Sequence, residues 1–341
     1  MSNNRKVQVL VTIPFSEELV AQIAALSPRL KVTLLSTQSR EDISPELWSK
    51  VEVLYTDTVL PEPEWVPNLK YIQFHWSGVD FAIDHPILKA PGLQAASLSG
   101  AMASQMGEFV LMMMLSLGHR MSDIIHNQSK AEWSRDRWER FTPQELRGST
   151  VGIIGYGSVG RQIARLLQPF GVTILATKKD VKRPQDNGYI PEGQGDADGV
   201  FFNRLYPIQA LGSMVRLCDF VVVCLPLTGE TRGLIGAEVF QNMKPSAMFV
   251  SVGRGGVVDR NDLLTALQEK KIAAAALDVF AQEPLPPESP FWHLPNVIVS
   301  PHIAGISPHY RERAADLFKE NLRRYLDGTP LYNLIDPEKG Y

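Results

Sequence analysis

Three segments in the second half of the chain each place a side chain that can bind an anion or move a proton just after a short apolar run. The residues are Arg254, Glu283 and His302, which follow the apolar runs 247–252, 273–277 and 297–300. Such runs, alternating with helix-like segments, predict the strands of a parallel sheet covered by helices. Because ligands bind at the carboxyl ends of strands in such sheets, we expect the three side chains to face one crevice.

These three residue types suit the reduction of a carbonyl group that lies beside a carboxylate. The carbonyl carbon must receive a hydride and its oxygen a proton, and a histidine such as His302 exchanges protons near neutral pH. A neighbouring carboxylate from Glu283 would favour the charged imidazolium form. Arg254 stays charged at any working pH, so it can hold the substrate carboxylate and polarise the carbonyl. Each residue also has an ordinary role, as a turn arginine, a solvated loop acid or a helix cap, so the prediction depends on their joint placement.

A glycine-rich turn upstream of these segments indicates where the hydride comes from. Gly155, Gly157 and Gly160 have the G-x-G-x-x-G spacing, between the apolar run 150–154 and an amphipathic helix that begins near Ser158. The first glycine allows the tight turn, the second lets the backbone approach a pyrophosphate, and the third lets the helix pack on the strand. The helix N-terminus then attracts the anion. The predicted dinucleotide contacts in this turn are Gly155, Tyr156, Gly157, Ser158, Val159 and Gly160.

The end of the next predicted strand bears on the choice between NAD and NADP. An NAD site usually has an Asp or Glu about 20 residues after the glycines. Here Thr177, Lys178 and Lys179 occupy that place, and we predict that they contact the cofactor. An ammonium attracts a 2′-phosphate, whereas a carboxylate repels it, so NADP(H) is favoured. Two alternatives stay open: both lysines point to solvent, or Asp180 restores an NAD-type contact and NAD(H) is used.

The alternation of strands and helices occurs twice along the chain, which predicts two α/β domains. The second series begins after the charged and aromatic segment 127–141, and the last helix lies outside its strand pattern. We therefore predict a discontinuous first domain, residues 1–118 with 308–341, and a second domain, residues 119–307. Residues 180–207, which are rich in proline and glycine and have no clear period, are predicted to be an insertion.

The composition argues against several other classes of protein. The chain has 341 residues, 44% of them hydrophobic and 21% charged, with a net charge of −3 at pH 7. That balance provides no basic field for nucleic acid or for an anionic membrane. No apolar stretch reaches the length of a membrane span, the first 15 residues lack a leader-like apolar core, and we assign no metal ligand. The two cysteines, Cys218 and Cys224, fit buried thiols better than a disulfide framework, so we expect a reducing, cytoplasmic location.

The chain resembles the D-isomer-specific 2-hydroxyacid dehydrogenase family over nearly its whole length. The segments that carry the resemblance are GYGSVG from Gly155, LPLTGETRGLIG from Leu225, GRGGVVDRNDLL from Gly253, LDVFAQEPLPPESPFW from Leu277 and LPNVIVSPHIAG from Leu294. The resemblance implies an α/β fold of two doubly wound parallel-sheet domains: a flavodoxin-like substrate domain and a Rossmann dinucleotide-binding domain, with the site in the cleft between them. It also implies reduction of a 2-oxo acid to the D-2-hydroxy acid. A homodimer is implied as well, joined largely through the cofactor domain and an arm that contains Trp133 and Trp138.

The resemblance also assigns roles to individual residues. The arginine, glutamate and histidine already identified resemble the family's catalytic triad, and Asp278 resembles its contact to the nicotinamide carboxamide. The loop with Ser77, Gly78 and Val79 resembles the one whose backbone N–H groups bind the substrate carboxylate. Further cofactor contacts are implied for Leu225, Pro226, Thr231, Val252, Gly253 and Gly305.

The chain departs from the family pattern at the ribose end of the predicted cofactor site. The expected acid is missing, and the insertion at 180–207 begins where a 2′-phosphate would bind. Lys182 or Arg183 would lie near that phosphate.

Other functions on the same scaffold stay open. Formate and phosphite dehydrogenases share it, but the formate enzymes carry Gln where Glu283 stands, so this glutamate favours reduction of 2-oxo acids. A dinucleotide-sensing protein that resembles a transcriptional corepressor would bind the cofactor tightly and turn over every 2-oxo acid slowly. Among substrates, glyoxylate, hydroxypyruvate and bulkier 2-oxo acids all remain candidates.

Overall fold

The computed structural model describes residues 5–340, in which strands and helices alternate. The strands, in chain order, are β1 (Val7–Val11), β2 (Leu30–Leu34), β3 (Val53–Thr56), β4 (Tyr71–Phe74), β5 (Gln94–Ala96), β6 (Thr150–Ile154), β7 (Thr173–Thr177), β8 (Arg204–Tyr206), β9 (Phe220–Val223), β10 (Met248–Ser251), β11 (Ala274–Leu277) and β12 (Val297–Val299). The helices are α1 (Glu17–Ala24), α2 (Pro45–Trp48), α3 (Ala103–Gly118), α4 (Met121–Ser129), α5 (Arg137–Arg140), α6 (Ser158–Leu167), α7 (Leu211–Val215), α8 (Ala237–Asn242), α9 (Arg260–Gln268) and α10 (Tyr310–Asp327). The prediction that the chain starts without a leader concerns residues 1–15, of which 1–4 lie outside the described residues.

The chain divides into two compact units. Unit 1 contains the residues up to Met102 together with those from Ser307 onward, and unit 2 contains Ala103–Ile306. The predicted boundary at residues 118/119 is therefore displaced, because α3 belongs to unit 2. This helix packs along α6 and also touches β10 and β11, so its apolar face is part of the unit 2 core. The second junction lies within one residue of the predicted one.

Unit 1 is built on a five-stranded parallel sheet in the order β2-β1-β3-β4-β5. This is the flavodoxin-like strand order. Every residue of β3 and β4 is buried, as expected for strands covered on both faces. The hydroxyl of Ser16 accepts a hydrogen bond from the backbone N–H of Leu19, which makes Ser16 the predicted N-cap of α1. The ring of Phe318 lies 4.6 Å from that of Tyr55, so α10 packs on this sheet.

Unit 2 contains a seven-stranded parallel sheet in the order β12-β11-β10-β9-β6-β7-β8. With β6 as the first strand, this is the 3-2-1-4-5-6 order of the Rossmann dinucleotide-binding fold, extended by one edge strand. The order reverses between β6 and β9, so the residues that follow these two strands border the crevice where such sheets bind ligands. The predicted fold class, two doubly wound parallel sheets, is therefore confirmed.

The end of the predicted insertion is a strand. Residues 204–206 form β8, in which Leu205 is paired with Ala176 of β7. The prediction that 180–207 is one irregular insertion is wrong at its end, since the connection from β7 to β8 comprises residues 178–203 and contains no helix. A three-residue strand is too short to produce a period in the sequence, which explains the error.

The structure also bears on the prediction about membrane spans. None of the helices within residues 5–340 combines the length and the apolar character needed to cross a membrane.

The two cysteines are not joined in a disulfide. Cys218 and Cys224 are free thiols, and burial raises the pKa of each to about 12. Both cysteines are therefore protonated and unreactive at neutral pH.

Candidate active site

The glycine-rich turn between β6 and α6 forms a cradle that fits an anion. Gly155 has a φ of +106°, which L side chains rarely adopt, and its N–H donates to the Thr177 hydroxyl at 3.1 Å. A Cβ on Gly160 would lie 2.2 Å from the Gly155 carbonyl oxygen, so only glycine lets α6 approach this closely. Around Gly157, by contrast, no described atom beyond its chain neighbours lies within 4 Å of the place a Cβ would take. This space, beside a helix N-terminus that has no side-chain cap, fits the pyrophosphate of a dinucleotide.

Several side chains around the cradle form hydrogen bonds within the protein. The buried Tyr156 donates its hydroxyl hydrogen to the Asp196 carboxylate at 2.6 Å, and the Thr177 hydroxyl holds the first glycine of the turn. The Thr231 hydroxyl donates to the Pro226 carbonyl oxygen at 2.6 Å. These side chains shape the loops that present backbone groups to the cradle.

The loops that follow β9, β10 and β11 touch one another through glycines. A Cβ on Gly253 would lie 2.4 Å from the Leu225 carbonyl oxygen, so the loop after β10 lies directly on the loop after β9. A Cβ on Gly255 would lie 1.9 Å from the carbonyl carbon of Phe280 in the loop after β11. Glycine at both positions therefore allows three loops to form one continuous edge. Arg254 lies between these two glycines, so its backbone is held on both sides.

Arg254 lies three residues beyond the end of β10. The strands β10, β11 and β12 pair in parallel, with Ser251 opposite Leu277 and Leu277 opposite Val299. The predicted arginine, glutamate and histidine therefore follow three neighbouring strands at the same edge of the sheet. The Arg254 guanidinium is half-buried, and its Nη1 donates to the Gly253 carbonyl oxygen at 3.2 Å.

His302 and Glu283 are in direct contact. The Nδ1 atom of His302 lies 2.7 Å from Oε2 of Glu283. The other carboxylate oxygen, Oε1, accepts a hydrogen bond from the backbone N–H of Phe280 at 2.8 Å. The side chains of His302 and Glu283 are 44% and 35% exposed, and among the described residues Nε2 of His302 has no hydrogen-bond partner. This ring nitrogen is therefore the one available to a substrate.

Asp278 holds the backbone of the loop that carries His302. His302 has a φ of +54°, which is uncommon for a residue with a side chain, and its N–H donates to the Asp278 carbonyl oxygen at 2.9 Å. The Asp278 carboxylate accepts hydrogen bonds from the Ser300 hydroxyl at 2.7 Å and from the N–H groups of Ile303 and Ala304, each at 2.9 Å. These charge-assisted hydrogen bonds stabilise the unusual backbone conformation. The part played by Ser300 was missed, because a serine that follows an apolar run has no distinguishing pattern.

The two lysines that follow β7 have partners within unit 2. The Lys178 ammonium donates to the carbonyl oxygens of Arg183 and Gln185, the latter at 2.9 Å. The Lys179 ammonium lies 2.8 Å from the carboxylate of Glu230, and both of these side chains are exposed. The alternative in which both lysines point to solvent therefore does not describe Lys178.

In unit 1, the loop predicted to bind substrate follows β4. Within residues 5–340, no acceptor takes a hydrogen bond from the backbone N–H of Ser77, Gly78 or Val79. Successive unpaired N–H groups suit the binding of a carboxylate. His75, two residues before Ser77, is buried, and its Nδ1 lies 2.7 Å from the Tyr55 hydroxyl oxygen. Burial lowers the pKa of His75 to about 4. This histidine is therefore neutral at physiological pH.

Comparison with known proteins identifies the family of this chain. The NAD-binding domain model of the D-isomer specific 2-hydroxyacid dehydrogenases matches residues 111–304. The chain is 33% identical to a glyoxylate reductase from Thermofilum pendens over 305 residues, which cover 88% of this chain and 85% of that protein. It is 34% identical to the glyoxylate reductase/hydroxypyruvate reductase of Mus musculus over 265 residues, 77% of this chain and 76% of that one.

Solved structures resemble the chain over almost its whole length. A D-isomer specific 2-hydroxyacid dehydrogenase from Xanthobacter autotrophicus Py2, in complex with NADPH and MES, aligns with a TM-score of 0.77 and 29% identity, covering 99% of this chain and all (100%) of that one. An NADPH-dependent glyoxylate/hydroxypyruvate reductase from Sinorhizobium meliloti, in complex with NADP and sulfate, aligns with a TM-score of 0.76 and 27% identity, covering 98% and 100%. The chain is an NAD(P)-dependent oxidoreductase, and it belongs to the D-isomer specific 2-hydroxyacid dehydrogenase family.

Proposed function

We propose that this protein reduces a small 2-oxo acid, such as glyoxylate or hydroxypyruvate, to the D-2-hydroxy acid. The observation that carries the proposal is the 2.7 Å contact between His302 Nδ1 and Glu283 Oε2, on the sheet edge that also carries Arg254. A carboxylate beside an imidazole favours the protonated ring, which is the form that donates a proton. The similarity to glyoxylate reductases supports the class of substrate.

In this mechanism the three side chains have separate tasks. The bound nicotinamide cofactor supplies the hydride that the carbonyl carbon receives. His302 transfers the proton on Nε2 to the carbonyl oxygen, which leaves a hydroxyl group on the product and a neutral imidazole on the enzyme. Glu283 stabilises the imidazolium through Nδ1 before this transfer. Arg254 binds the substrate carboxylate and draws electron density from the carbonyl oxygen, which makes the carbon a better hydride acceptor.

The remaining predicted contacts complete the proposed site. The backbone N–H groups of Ser77, Gly78 and Val79 bind the substrate carboxylate, which their lack of internal acceptors supports. Asp278 contacts the nicotinamide carboxamide in addition to holding the His302 loop. The other proposed cofactor contacts are Gly155, Tyr156, Gly157, Ser158, Val159, Gly160, Thr177, Lys178, Lys179, Leu225, Pro226, Thr231, Val252, Gly253 and Gly305.

NADP(H) is the preferred cofactor in this proposal. The first two residues after β7 are Lys178 and Lys179, not acids. Lys182 and Arg183 follow in the next turn. Four cations within six residues favour a ligand that carries an additional phosphate.

The protein is also proposed to be a cytoplasmic homodimer. Trp133 and Trp138 are 84% and 78% exposed, and large aromatic side chains are enriched in protein interfaces. Two free thiols that are unreactive by burial suit a reducing compartment. Sedimentation equilibrium tests the dimer, which a monomer mass at micromolar concentration would rule out.

A panel of 2-oxo acids tests the proposed reaction. Purified protein is mixed with glyoxylate, hydroxypyruvate, pyruvate, phenylpyruvate or a branched-chain 2-oxo acid, with NADPH or NADH, and the nicotinamide absorbance is followed. We expect turnover with at least one small 2-oxo acid, and chiral analysis should identify the D product. Tight cofactor binding with negligible turnover of every acid would instead favour a dinucleotide-sensing function.

A further inference from the structure

The connection between β7 and β8, residues 178–203, is fastened to the start of α6 by a buried arginine. Arg161 is only 1% exposed. Its guanidinium donates to the carbonyl oxygens of Asp196 and Pro184, each at 2.5 Å, and its Nε lies 3.2 Å from the Asp186 carboxylate. Because a buried charge is costly unless it is paired, these contacts fix the connection against the helix.

The glycine-rich turn joins the same network through Tyr156. The Arg161 guanidinium lies over the Tyr156 ring, 4.8 Å from its centre, and the Tyr156 hydroxyl donates to Asp196. Burial by itself would raise the pKa of Asp196, but hydrogen bonds from Tyr156 and from the N–H groups of Val200 and Phe201 bring it below its usual value. The ionised Asp196 carboxylate therefore lies beside the buried Arg161 guanidinium. Tyr156 links the connection directly to the predicted pyrophosphate cradle.

Lys178 also fastens the connection. Its ammonium donates to the carbonyl oxygens of Arg183 and Gln185, which closes the turn that begins at Asp180. Burial lowers the pKa of Lys178, and the nearby Arg161 guanidinium lowers it further. An ammonium that is already bound to two backbone oxygens is a poor candidate for direct contact with a phosphate.

Arg183, like its neighbour Lys182, is an exposed cation of this turn. The Asp180 carboxylate accepts a hydrogen bond from the Lys182 N–H at 3.0 Å through one oxygen, and its other oxygen lies 3.6 Å from Arg183 Nε. The Lys182 N–H therefore holds Asp180 within the turn. The Arg183 side chain is 87% exposed, so it can turn towards a ligand at the end of β7.

We propose that Arg161 is a positioning residue for cofactor specificity, which holds the turn 180–183 so that Arg183 binds the 2′-phosphate of NADP(H). A guanidinium suits this role because it can bind a phosphate through two parallel hydrogen bonds. This narrows the contacts proposed above: Lys178 fastens the turn, and Arg183 takes its place at the phosphate. The inference rests on the proposed preference for NADP(H) and names the residues that produce it.

Nucleotide fragments test the inference without turnover. Isothermal titration of the full chain with adenosine 2′,5′-bisphosphate and with adenosine 5′-monophosphate measures discrimination for the 2′-phosphate. Arg183→Ala should weaken bisphosphate binding about 10-fold, the usual scale of a lost charged hydrogen bond, and leave monophosphate binding unchanged. Arg161→Met should lower the discrimination in the same way, although its side chain is buried and is bound to Pro184, Asp186 and Asp196. Arg216→Ala is the matched control, because it removes an arginine before the amino end of β9, and it should change neither affinity.

Each outcome of this experiment separates the inference from the proposed function. If the wild type binds both nucleotides equally, the NADP(H) preference is wrong and the inference fails with it. A wild-type preference that survives both Arg183→Ala and Arg161→Met overturns the inference and leaves the preference standing. A loss in Arg183→Ala alone overturns the positioning role of Arg161.

A milder variant keeps the test decisive if Arg161→Met does not fold, as judged by circular dichroism and the thermal midpoint. Tyr156→Phe removes one hydroxyl from the same network and keeps the ring beneath Arg161. It should lower the discrimination by less than Arg183→Ala does. Unchanged discrimination in a folded Tyr156→Phe protein, with the Arg161 variant unfolded, counts against the positioning role.

Discussion

Nδ1 of His302 lies 2.7 Å from Oε2 of Glu283, and the second oxygen of that carboxylate accepts a hydrogen bond from the backbone N–H of Phe280, three residues earlier in the same loop. The carboxylate therefore orients the imidazole as well as balancing its charge. Because Nδ1 is directed towards the glutamate, Nε2 points away from it, which is the arrangement that proton transfer to a carbonyl oxygen requires.

Replacement of His302 by Ala should lower kcat for 2-oxo acid reduction by about 100-fold or more, the usual scale of lost acid–base help. Cofactor binding, measured by quenching of protein fluorescence, should be retained, because the imidazole is not part of the glycine-rich turn. His293→Ala removes an exposed histidine of the same unit and serves as the control. Near-normal turnover in His302→Ala would remove this residue from the mechanism.

Replacement of Glu283 by Gln should lower kcat for 2-oxo acid reduction. The amide can still accept a hydrogen bond from Nδ1, but it carries no negative charge to stabilise the protonated ring. We expect kcat to fall by about 10-fold, the usual scale of a lost charged hydrogen bond, with a smaller change in KM for the 2-oxo acid. Steady-state kinetics at saturating NADPH provide the measurement, with the exposed Glu288→Gln as control. A wild-type kcat in Glu283→Gln would contradict the pairing.

Replacement of Arg254 by Lys should raise KM for the 2-oxo acid and lower kcat together. A lysine keeps the charge but loses the planar fork that binds a carboxylate through two hydrogen bonds. Loss of one such charged hydrogen bond should reduce kcat/KM by roughly 10-fold to 100-fold. Steady-state kinetics at saturating NADPH test this, beside Arg260→Lys on the exposed start of α9. An effect on KM for NADPH alone would instead place Arg254 in the cofactor site.

Replacement of Asp278 by Asn should destabilise the loop that carries His302. The new amide group would direct hydrogen atoms at N–H donors that now bind the carboxylate, so we expect the free energy of unfolding to fall by about 1–3 kcal/mol and kcat to fall with it. Ser300→Ala removes only one of the three donors and should have a smaller effect in the same direction. Urea unfolding and steady-state kinetics measure both effects. An Asp278→Asn protein with wild-type stability would show that these hydrogen bonds do not hold the loop.

His75 should make the stability of unit 1 sensitive to acid. Burial lowers the pKa of this histidine to about 4, whereas in an unfolded chain its pKa is near the ordinary histidine value of about 6.5. Between these two pH values the unfolded chain binds a proton that the folded chain does not, so the free energy of unfolding falls as the pH drops from 6.5 to 4, by at most ~3 kcal/mol from this residue. Asp57 and Arg311 face the imidazole with opposite and smaller effects on its pKa.

A variant without a titrating group isolates this contribution. Gln at position 75 keeps an acceptor for the Tyr55 hydroxyl but does not titrate. Urea unfolding at pH 7 and pH 4.5 should therefore show a smaller loss of stability in His75→Gln than in the wild type. The exposed His126→Gln is the control. Equal losses in His75→Gln and the wild type would mean that the folded protein accepts the proton.

The fold was largely predictable because each strand and helix leaves a local pattern. The buried strands appear as apolar runs, and the glycine spacing after β6 marks the first strand of unit 2. The error at α3 has a different origin: a helix that is apolar on most of its surface does not reveal which sheet it covers. Its partner, α6, lies about 40 residues further along the chain, so the contact that decides the boundary is not local.

The positions of the site residues were predictable, but their hydrogen bonds were not. Arg254, Glu283 and His302 were predicted to share one edge of the sheet because functional groups gather after the carboxyl ends of strands, and they do follow three neighbouring strands. The inward turn of Lys178 depends on backbone oxygens five and seven residues later, in a segment without a period. The positive φ of His302 likewise depends on bonds from a neighbouring strand, which no spacing in its own segment signals.

The sheet of unit 2 has Arg254, Glu283 and His302 after β10, β11 and β12, while the fastened connection follows β7 towards the other end of the strand order. The two strands β6 and β9 stand between these groups. Replacing part of this connection by a segment of a different length would therefore disturb none of these three residues. Because of this separation, evolution or protein engineering can change the choice between NADH and NADPH without altering the residues proposed to carry out the reaction.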